Sequence, residues 1–500
     1  MTISCSSRSL AQRMGLLILL SLAINSTSPL FTSAQESVKT EWQVMMLDQQ
    51  RIGYASLETR QEDQILKLKQ SSRMEFQRFG QKIELETELH TEELTDGTLR
   101  SFRFEIRNPP NKPTLSSGTI RGNQLDLKLT VNGRVSEKKV TLPPNLKSPL
   151  WQERMFRDQT LKEGLANSFN TWLPELSKVS NLKFRVDQER QTEMFAGNRM
   201  RVYKVNVVNS AIPTLKMRGY LDDNGRWVKS ESDFFGKTLY TYQVSETEAL
   251  KELAGDELDL AMKTIVRVGG LRDPHRLREV TYRITLESDD PAEYFVSGPS
   301  QSIKKVNDRT ILLTVQKIEA SPRTAISRKP DNKYLQPTEF LQSNDFRIVQ
   351  LARRASAGIG DPNRIAVNME KTVHETVRNK NFSTALASAA EVAEKREGDC
   401  TEHAMLLAAM LRAEKLPSRI AVGFVYSDHF NGFAGHMWTE VWLRDRWYPL
   451  DATLAKGGIG PGHLKISDSA LDENSPAPIT SFLPMLRLLG QMTIEVEKKR

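Results

Sequence analysis

Three side chains of the types used in nucleophilic acyl transfer follow one another in the last fifth of the chain: Cys400, His436 and Asp451. A thiolate can attack a carbonyl carbon, an imidazole can take the thiol proton and return it to a leaving amine, and a carboxylate can hold the imidazole in one tautomer. The residue types and their order therefore predict a thiol catalytic site. A second interpretation of Cys400, as a small buried hydrophobic residue, stays open.

The residues around Cys400 predict the start of a helix. Asp399 and Glu402 fit a capping box, which places Cys400 in the first helical turn. The positive end of the helix dipole at that position favours the thiolate. Residues 404–411 are all apolar, so we expect a buried helix that holds the thiol rigidly.

A predicted hairpin brings His436 and Asp451 to one face of a sheet. The expected strands cover residues 419–426, 435–443 and 447–452. If the turn pairs Leu443 with Arg446, Asp451 lies opposite Trp438 and diagonal to His436. At that separation a carboxylate can orient the imidazole.

Four ordered motifs make the chain resemble one known family. They are GDCTEHA at 398–404, LPSRIAVG at 416–423, HMWTEVW at 436–442 and WYPLDAT at 447–453. Together they resemble the core of the transglutaminase-like superfamily of papain-like thiol enzymes. The resemblance implies a cysteine-bearing helix packed on an antiparallel sheet. It also implies Cys400 as nucleophile, His436 as general base and acid, and Asp451 as the group that orients His436.

The chain departs from the cross-linking animal members of that family. Those enzymes carry tryptophan directly after the cysteine, where this chain has Thr401, and another tryptophan upstream. No tryptophan lies between Trp227 and Trp438 here. The Cys400 backbone amide can be one oxyanion donor, and the second stays unassigned. These departures favour hydrolysis over cross-linking.

We expect no cofactor and no metal. No second cysteine or pair of histidines has the spacing of zinc ligands. His403, one turn beyond Cys400, fits a packed histidine better than a group that tunes the thiol or binds a metal with it.

The first 34 residues predict export. Arg8 and Arg13 precede an apolar run at 14–24, and small residues follow at 32–34, which is typical of a cleavable secretory signal peptide. The run is well short of the roughly 20 residues that a membrane-spanning helix needs. No later stretch is long and apolar enough to span, so we expect a periplasmic or extracellular protein with no transmembrane segment.

The charge balance excludes one class of partner. Loss of the two arginines of residues 1–34 lowers the net charge from +8 to +6, which is mild for this length. No basic block is interleaved with aromatic residues, so we expect no nucleic-acid binding. A protein or peptide substrate fits the site better.

Changes in pattern predict an α+β protein of several domains. Residues 35–250 alternate with period two and form an antiparallel β-rich domain, with a helix expected near 151–176. This strand pattern is similar to the half-barrel domains of envelope lipid and lipoprotein carriers. The later predicted parts are a helical linker and small β unit at 251–344, a catalytic core at 345–470, and a tail at 471–500 packed on the core.

Shorter elements are expected inside the later parts. Strands are predicted at 280–286, 292–296 and 310–315, and helices at 346–357, 363–377 and 384–394.

The function expected from these features is an exported cysteine-dependent acyl-transfer enzyme acting on peptide or isopeptide amide bonds. The alternative is a non-enzymatic envelope protein, in which the N-terminal β domain binds a lipid or polymer and the thiol core is a scaffold.

Alkylation of Cys400 tests its reactivity. Because Cys400 begins a capped helix, its alkylation rate is expected to reach half its plateau below the pH of about 8.5 at which a free thiol is half ionised. The measurement is the rate of iodoacetamide alkylation against pH, followed by mass spectrometry. A midpoint at or above that of a free thiol would contradict the nucleophile assignment.

Overall fold

The computed structural model describes most of the chain in two compact units, residues 38–253 and 264–500. The described residues are 38–47, 49–78, 81–109, 113–131, 133–157, 159–195, 198–213, 215–234, 237–253, 264–318, 330–379, 387–472 and 483–500. The predicted signal peptide lies outside them. Antiparallel sheets dominate both units. The finer domain boundaries expected from the sequence stay predictions.

The N-terminal unit is one large antiparallel sheet and a short helix, α1 (Glu246–Ala249). Its strands are β1 (Lys39–Leu47), β2 (Gln50–Glu62), β3 (Ile65–Arg78), β4 (Gln81–Leu94), β5 (Leu99–Arg107), β6 (Thr114–Arg121), β7 (Gln124–Val131), β8 (Arg134–Thr141), β9 (Ala166–Leu173), β10 (Lys178–Val186), β11 (Gln191–Phe195), β12 (Asn198–Asn209), β13 (Met217–Leu221), β14 (Trp227–Phe234) and β15 (Lys237–Val244). Pairing follows chain order from β8 back to β1, then runs from β15 back to β9, with β11 on β12. The first and last strands are therefore neighbours inside the sheet.

Alternation along β4 shows why these residues form strands. Ile83, Leu85, Thr87 and Leu89 are all buried, which confirms the predicted inward face. The residues between them face outward, as the period of two requires.

A tight turn that contains Asn224 and Gly225 joins β13 and β14. The Asp222 carboxylate accepts from the backbone N–H of Asn224 at 2.8 Å and of Arg226 at 2.9 Å. Gly225 has φ +71°, which glycine adopts without steric cost.

The prediction of a helix near residues 151–176 is wrong. Among its described residues the segment contains no α-helix: the end of a 3₁₀ turn, Pro149–Glu153, is followed by the strand β9. Leu161, Leu165 and Phe169 are four residues apart and imitate a helical face. Pairing with β10 overrides that spacing, and Phe169 stacks on Phe184 with ring centroids 5.7 Å apart.

The C-terminal unit has two sheets and five described helices. The helices are α2 (Phe346–Ser356), α3 (Pro362–Thr376), α4 (Ala389–Lys395), α5 (Cys400–Ala413) and α6 (Leu483–Leu488). The strands are β16 (Val266–Arg267), β17 (Glu279–Leu286), β18 (Gln301–Asn307), β19 (Thr310–Gln316), β20 (Ser418–Ser427), β21 (Gly432–Leu443), β22 (Arg446–Leu450), β23 (His463–Ser469) and β24 (Met492–Lys499). One sheet has the order β16-β21-β20-β23 with β22 on β21, and the other has the order β18-β19-β17-β24.

Most of the expected short elements are present, and one strand is not. The helices predicted at 346–357 and 363–377 correspond to α2 and α3, while the predicted start of the third helix lies outside the described residues. The strand expected at 292–296 is wrong, because Pro291–Glu293 form a 3₁₀ turn capped by Asp290. The strand β18 was missed.

Hydrogen bonds join α5 to the neighbouring sheet. Thr439 Oγ1 donates to the Ala404 carbonyl at 2.8 Å, and Ser418 Oγ donates to the Ala408 carbonyl at 2.8 Å. Both hydroxyls are buried, so each is satisfied by a helix carbonyl in place of water.

In the part of the chain that the structure describes, no helix combines the length and the apolar character needed to cross a bilayer.

Candidate active site

Cys400 is the first residue of α5 and is 7% exposed. The predicted capping box is present, with the Asp399 carboxylate accepting from Thr401 N–H and Glu402 Oε2 accepting from Asp399 N–H at 3.0 Å. Gly398 precedes the cap with φ +147°, and a Cβ there would lie 2.2 Å from Glu402 Cβ. This close approach requires glycine. The cap thus holds the thiol at the positive end of a buried helix.

The hairpin of β21 and β22 brings His436 and Asp451 together. Leu443 pairs with Arg446, as predicted, and the last pair of the ladder is Thr439 with Leu450. Asp451 follows directly, and its Oδ2 lies 2.9 Å from His436 Nε2.

His436 also forms a side-chain hydrogen bond with Cys400. Since Nε2 is engaged with Asp451, Nδ1 is the ring nitrogen left for the thiol. Burial disfavours the charged imidazolium, but the negative charge of Asp451 and then the interaction with Cys400 outweigh it and raise the pKa of His436 well above its usual value. The structure therefore brings the three predicted site residues into one chain of contacts.

The Asp451 carboxylate is almost fully buried, at 1% exposure, and accepts several hydrogen bonds. Oδ1 accepts from Thr453 N–H at 2.8 Å, and Oδ2 accepts from His436 and, at 3.0 Å, from His463. Burial alone would raise the pKa of Asp451. The charge of His436 and the two histidine hydrogen bonds instead hold that pKa well below its usual value.

His463 is a site residue that the sequence did not reveal. It begins β23, pairs with Val425 of β20, and places Nε2 against Asp451 Oδ2. Burial lowers the pKa of His463 and outweighs the hydrogen bond to Asp451 that would raise it. The order of strands in the sheet creates this contact, and no local spacing signals it.

Two further residues missed by the sequence analysis, Glu370 and His374, hold the segment after β22. Glu370 Oε1 accepts from Asp451 N–H at 2.9 Å and Oε2 accepts from Gly457 N–H at 2.8 Å. His374 Nδ1 lies 2.9 Å from the Ala452 carbonyl. The spacing of four residues on α3 places both side chains on one helix face, which is the only sequence signal for this contact.

Glu370 is itself buried, at 1% exposure. Burial raises its pKa to about 7, although the backbone hydrogen bond from Asp451 opposes the shift. A carboxyl that changes charge near neutral pH therefore supports the backbone of Asp451.

His436, Asp451 and His463 also have the chemistry of a metal site. One ligand atom from each lies within 4.8 Å of the others, and two imidazoles with one carboxylate are a known zinc donor set. In the structure both Nε2 atoms contact Asp451 Oδ2, so a metal would have to displace both of these hydrogen bonds. The expectation of no metal stays a prediction.

Part of the C-terminal unit matches one known family. Residues 349–452 match the Transglutaminase-like superfamily, a range that contains Cys400, His436 and Asp451. This part of the chain is a transglutaminase-like domain, and members of that superfamily are typically cysteine-dependent enzymes. No curated protein matches the chain.

Several solved structures are similar to parts of the chain. A "putative cysteine protease" from Cytophaga hutchinsonii is 16% identical, with a TM-score of 0.28, and the match covers 44% of this chain and 88% of that one. A "putative protease" from Parabacteroides distasonis is 10% identical, with a TM-score of 0.19 and coverage of 70% and 68%. A "beta-barrel-like protein" from Brucella abortus is 12% identical, with a TM-score of 0.31 and coverage of 43% and 98%. At these TM-scores the likenesses carry no conclusion about this chain.

Replacing Glu370 tests its buried carboxyl. Because its pKa is raised from 4.5 to about 7, the folded state binds more protons than the unfolded state across that window, and the contribution of Glu370 to stability falls as pH rises. As the pH rises from 4.5 to 7.5, we expect the unfolding free energy of Glu370→Gln to increase by up to ~3 kcal/mol relative to that of the wild type. The measurement is urea unfolding at several pH values.

The exposed Glu375 on the same helix supplies the control, since Glu375→Gln is expected to show no such pH-dependent difference. The lowered pKa values of His275 and His463 change the stability with pH in the opposite direction. Both histidines are present in the wild type and in the variant, so their effects cancel in the comparison. A difference in unfolding free energy between Glu370→Gln and the wild type that is the same at all pH values would contradict the prediction.

Proposed function

We propose that the protein is an exported cysteine-dependent acyl-transfer enzyme that acts on peptide or isopeptide amide bonds. The observation that carries the proposal is the continuous set of hydrogen bonds from Cys400 through His436 to Asp451 at the start of a capped, buried helix. The transglutaminase-like domain supports a thiol enzyme. The papain-like arrangement, with this helix on an antiparallel sheet, is part of the proposal.

In the first half-reaction the Cys400 thiol transfers its proton to His436 Nδ1 and the thiolate attacks the amide carbonyl. The raised pKa of His436 favours the thiolate and imidazolium pair. Asp451 holds the ring by Nε2 and stabilises its charge without itself taking the proton. The tetrahedral intermediate collapses when His436 protonates the leaving amine, which gives a thioester on Cys400.

The helix start also supplies part of the oxyanion stabilisation. Backbone amides in the first turn of a helix point toward its N-terminal end, where the oxyanion of the tetrahedral intermediate would form beside Sγ. We assign the Cys400 amide as one donor.

In the second half-reaction His436 removes a proton from water, or from an amine, as that nucleophile attacks the thioester. Collapse of the second tetrahedral intermediate returns the thiolate and releases an acid or a new amide. Water gives hydrolysis and an amine gives transfer.

The predicted signal peptide at 1–34 supports export, and a periplasmic or extracellular location is part of the proposal. An envelope polymer or lipid is a further proposed partner for the large N-terminal sheet.

Substitutions of the three site residues test the assignment of roles. Cys400→Ala and His436→Ala each remove a reacting group and are expected to abolish turnover. Asp451→Asn disturbs only the orientation and charge of His436, so poor but measurable activity is expected. The measurement is the rate of peptide cleavage, with the acyl adduct on Cys400 followed by mass spectrometry.

His403→Gln is the control, because His403 Nδ1 lies 2.7 Å from the Asp399 carbonyl and supports the cap rather than the reacting atoms. A much milder loss is expected for it. Damage equal to that of His436→Ala would contradict the roles, and an inert Cys400 in the wild type would favour a non-enzymatic envelope protein.

Hydrolysis is expected to exceed transfer to amines. Transfer needs a passage that keeps water from the thioester while a lysine enters. Thr401, at the position of a tryptophan in cross-linking relatives, is fully buried and donates to Asp399 Oδ1 at 2.5 Å, so it adds no wall to such a passage. Products should be compared by mass with and without millimolar primary amine. A product pool dominated by the amine adduct would reverse the assignment and leave the thiol mechanism intact.

A further inference from the structure

Asp451 has two histidine partners, and the proposed reaction uses only one of them. Its Oδ2 lies 2.9 Å from His436 Nε2 and 3.0 Å from His463 Nε2. Both rings are 3% exposed. His436 also contacts Cys400, which gives it a role in the proposed proton transfer. His463 contacts the carboxylate that orients His436, so a role for His463 can be exerted through Asp451.

We propose that His463 is a positioning residue, a neutral histidine that donates its Nε2 proton to Asp451 and thereby fixes the carboxylate that orients His436. This inference rests on the proposed function of the Cys400 site. In that proposal His463 acts on Asp451, which in turn orients His436.

The surroundings of His463 fix both its tautomer and its orientation. Its Nδ1 is buried and has no hydrogen-bond partner among the described residues, while its Nε2 faces a carboxylate. A neutral ring with one proton must therefore carry it on Nε2. Trp438 and His275 pack edge-to-face on the ring, each with centroids 5.3 Å away, so it cannot rotate freely.

Burial and the charged groups that face His463 favour the neutral ring. Burial has the largest effect on its pKa and lowers it, and the charges of His436 and Lys456 act in the same direction, while Asp451 alone favours the charged ring. His275 is held neutral as well, because burial and the neighbouring His463 lower its pKa to about 4. Neutral His463 thus donates to Asp451 at pH values above its lowered pKa.

The donated proton has a consequence for the carboxylate. A buried carboxylate depends on donors in place of water, and each one it loses raises its affinity for a proton. Without His463, Oδ2 would lose one of its two histidine donors, the carboxylate would be less firmly oriented, and it would hold His436 less firmly. The imidazolium would then be less stable, and formation of the Cys400 thiolate would move to higher pH.

Two substitutions of similar shape separate donation from packing. His463→Gln keeps an amide N–H donor in place of Nε2, and His463→Met fills similar space with no donor. We measure the iodoacetamide alkylation rate of Cys400 against pH in the full chain, which needs no known substrate. The midpoint for His463→Met is expected to rise by about one pH unit, and that for His463→Gln by much less.

A double substitution tests whether the effect passes through Asp451. In an Asp451→Asn background the Met and Gln variants should have the same alkylation midpoint, because no carboxylate remains to be stabilised. Equal shifts for Met and Gln in the wild-type background, or a Met effect that persists unchanged in the Asp451→Asn background, would overturn the inference. His275→Gln removes one of the two rings packed on His463 and keeps the Nε2 donor, so a much smaller shift than that of His463→Met is expected. A shift equal to that of His463→Met would also overturn it.

The wild-type profile keeps the two proposals apart. A wild-type midpoint like that of a free thiol, about 8.5, contradicts the proposed function itself. A low wild-type midpoint with no change in His463→Met contradicts only the role of His463. Unfolding midpoints in urea are measured for every variant at each pH used for alkylation. Alkylation midpoints are compared only among variants that are folded at those pH values.

Discussion

A buried negative charge on Asp451 is the constraint around which the catalytic part of the chain is arranged. Taking a carboxylate out of water costs several kcal/mol unless donors replace the water. Here the donors come from β21, from β23 and from the turn after β22. The backbone of Asp451 is held in turn by Glu370 of α3. Through its side chain and its backbone, Asp451 therefore ties together a helix and three strands, and misplacement of β21 or β23 would leave the charge with less compensation.

Parts of this site could be predicted from the sequence, because they depend on neighbours in the chain. The capping box of Asp399 and Glu402 is set by residues three apart, and the helix start that it predicts is where Cys400 lies. The pairing of Leu443 with Arg446 follows from a two-residue turn, and it fixes the strand register. Local rules of this kind were sufficient to place Cys400, His436 and Asp451 on elements that can meet.

The rest could not be predicted because it depends on which strands become neighbours. His463 reaches Asp451 only because β23 pairs with β20, and Glu370 reaches it only because α3 passes beside the segment after β22. The incorrect prediction of a helix at 151–176 has the same cause. Its apolar spacing fits a helix, but the contact between Phe169 and Phe184 is available only once β9 lies beside β10. Long-range pairing decides such cases over local preference.

The hairpin between β21 and β22 has a consequence for how the chain can vary in length. His436 and Asp451 are 15 residues apart and are connected through a ladder in which side chains alternate between faces. Arg444 and Asp445, both with positive φ, close this ladder with a two-residue loop. Deleting or inserting a single residue between His436 and the loop would turn one of the two site residues to the opposite face of the sheet. The site is therefore compatible with length changes only when the strand segment on each side of the two-residue loop gains or loses an even number of residues. A length change in the loop from β20 to β21 does not alter the face on which His436 and Asp451 lie.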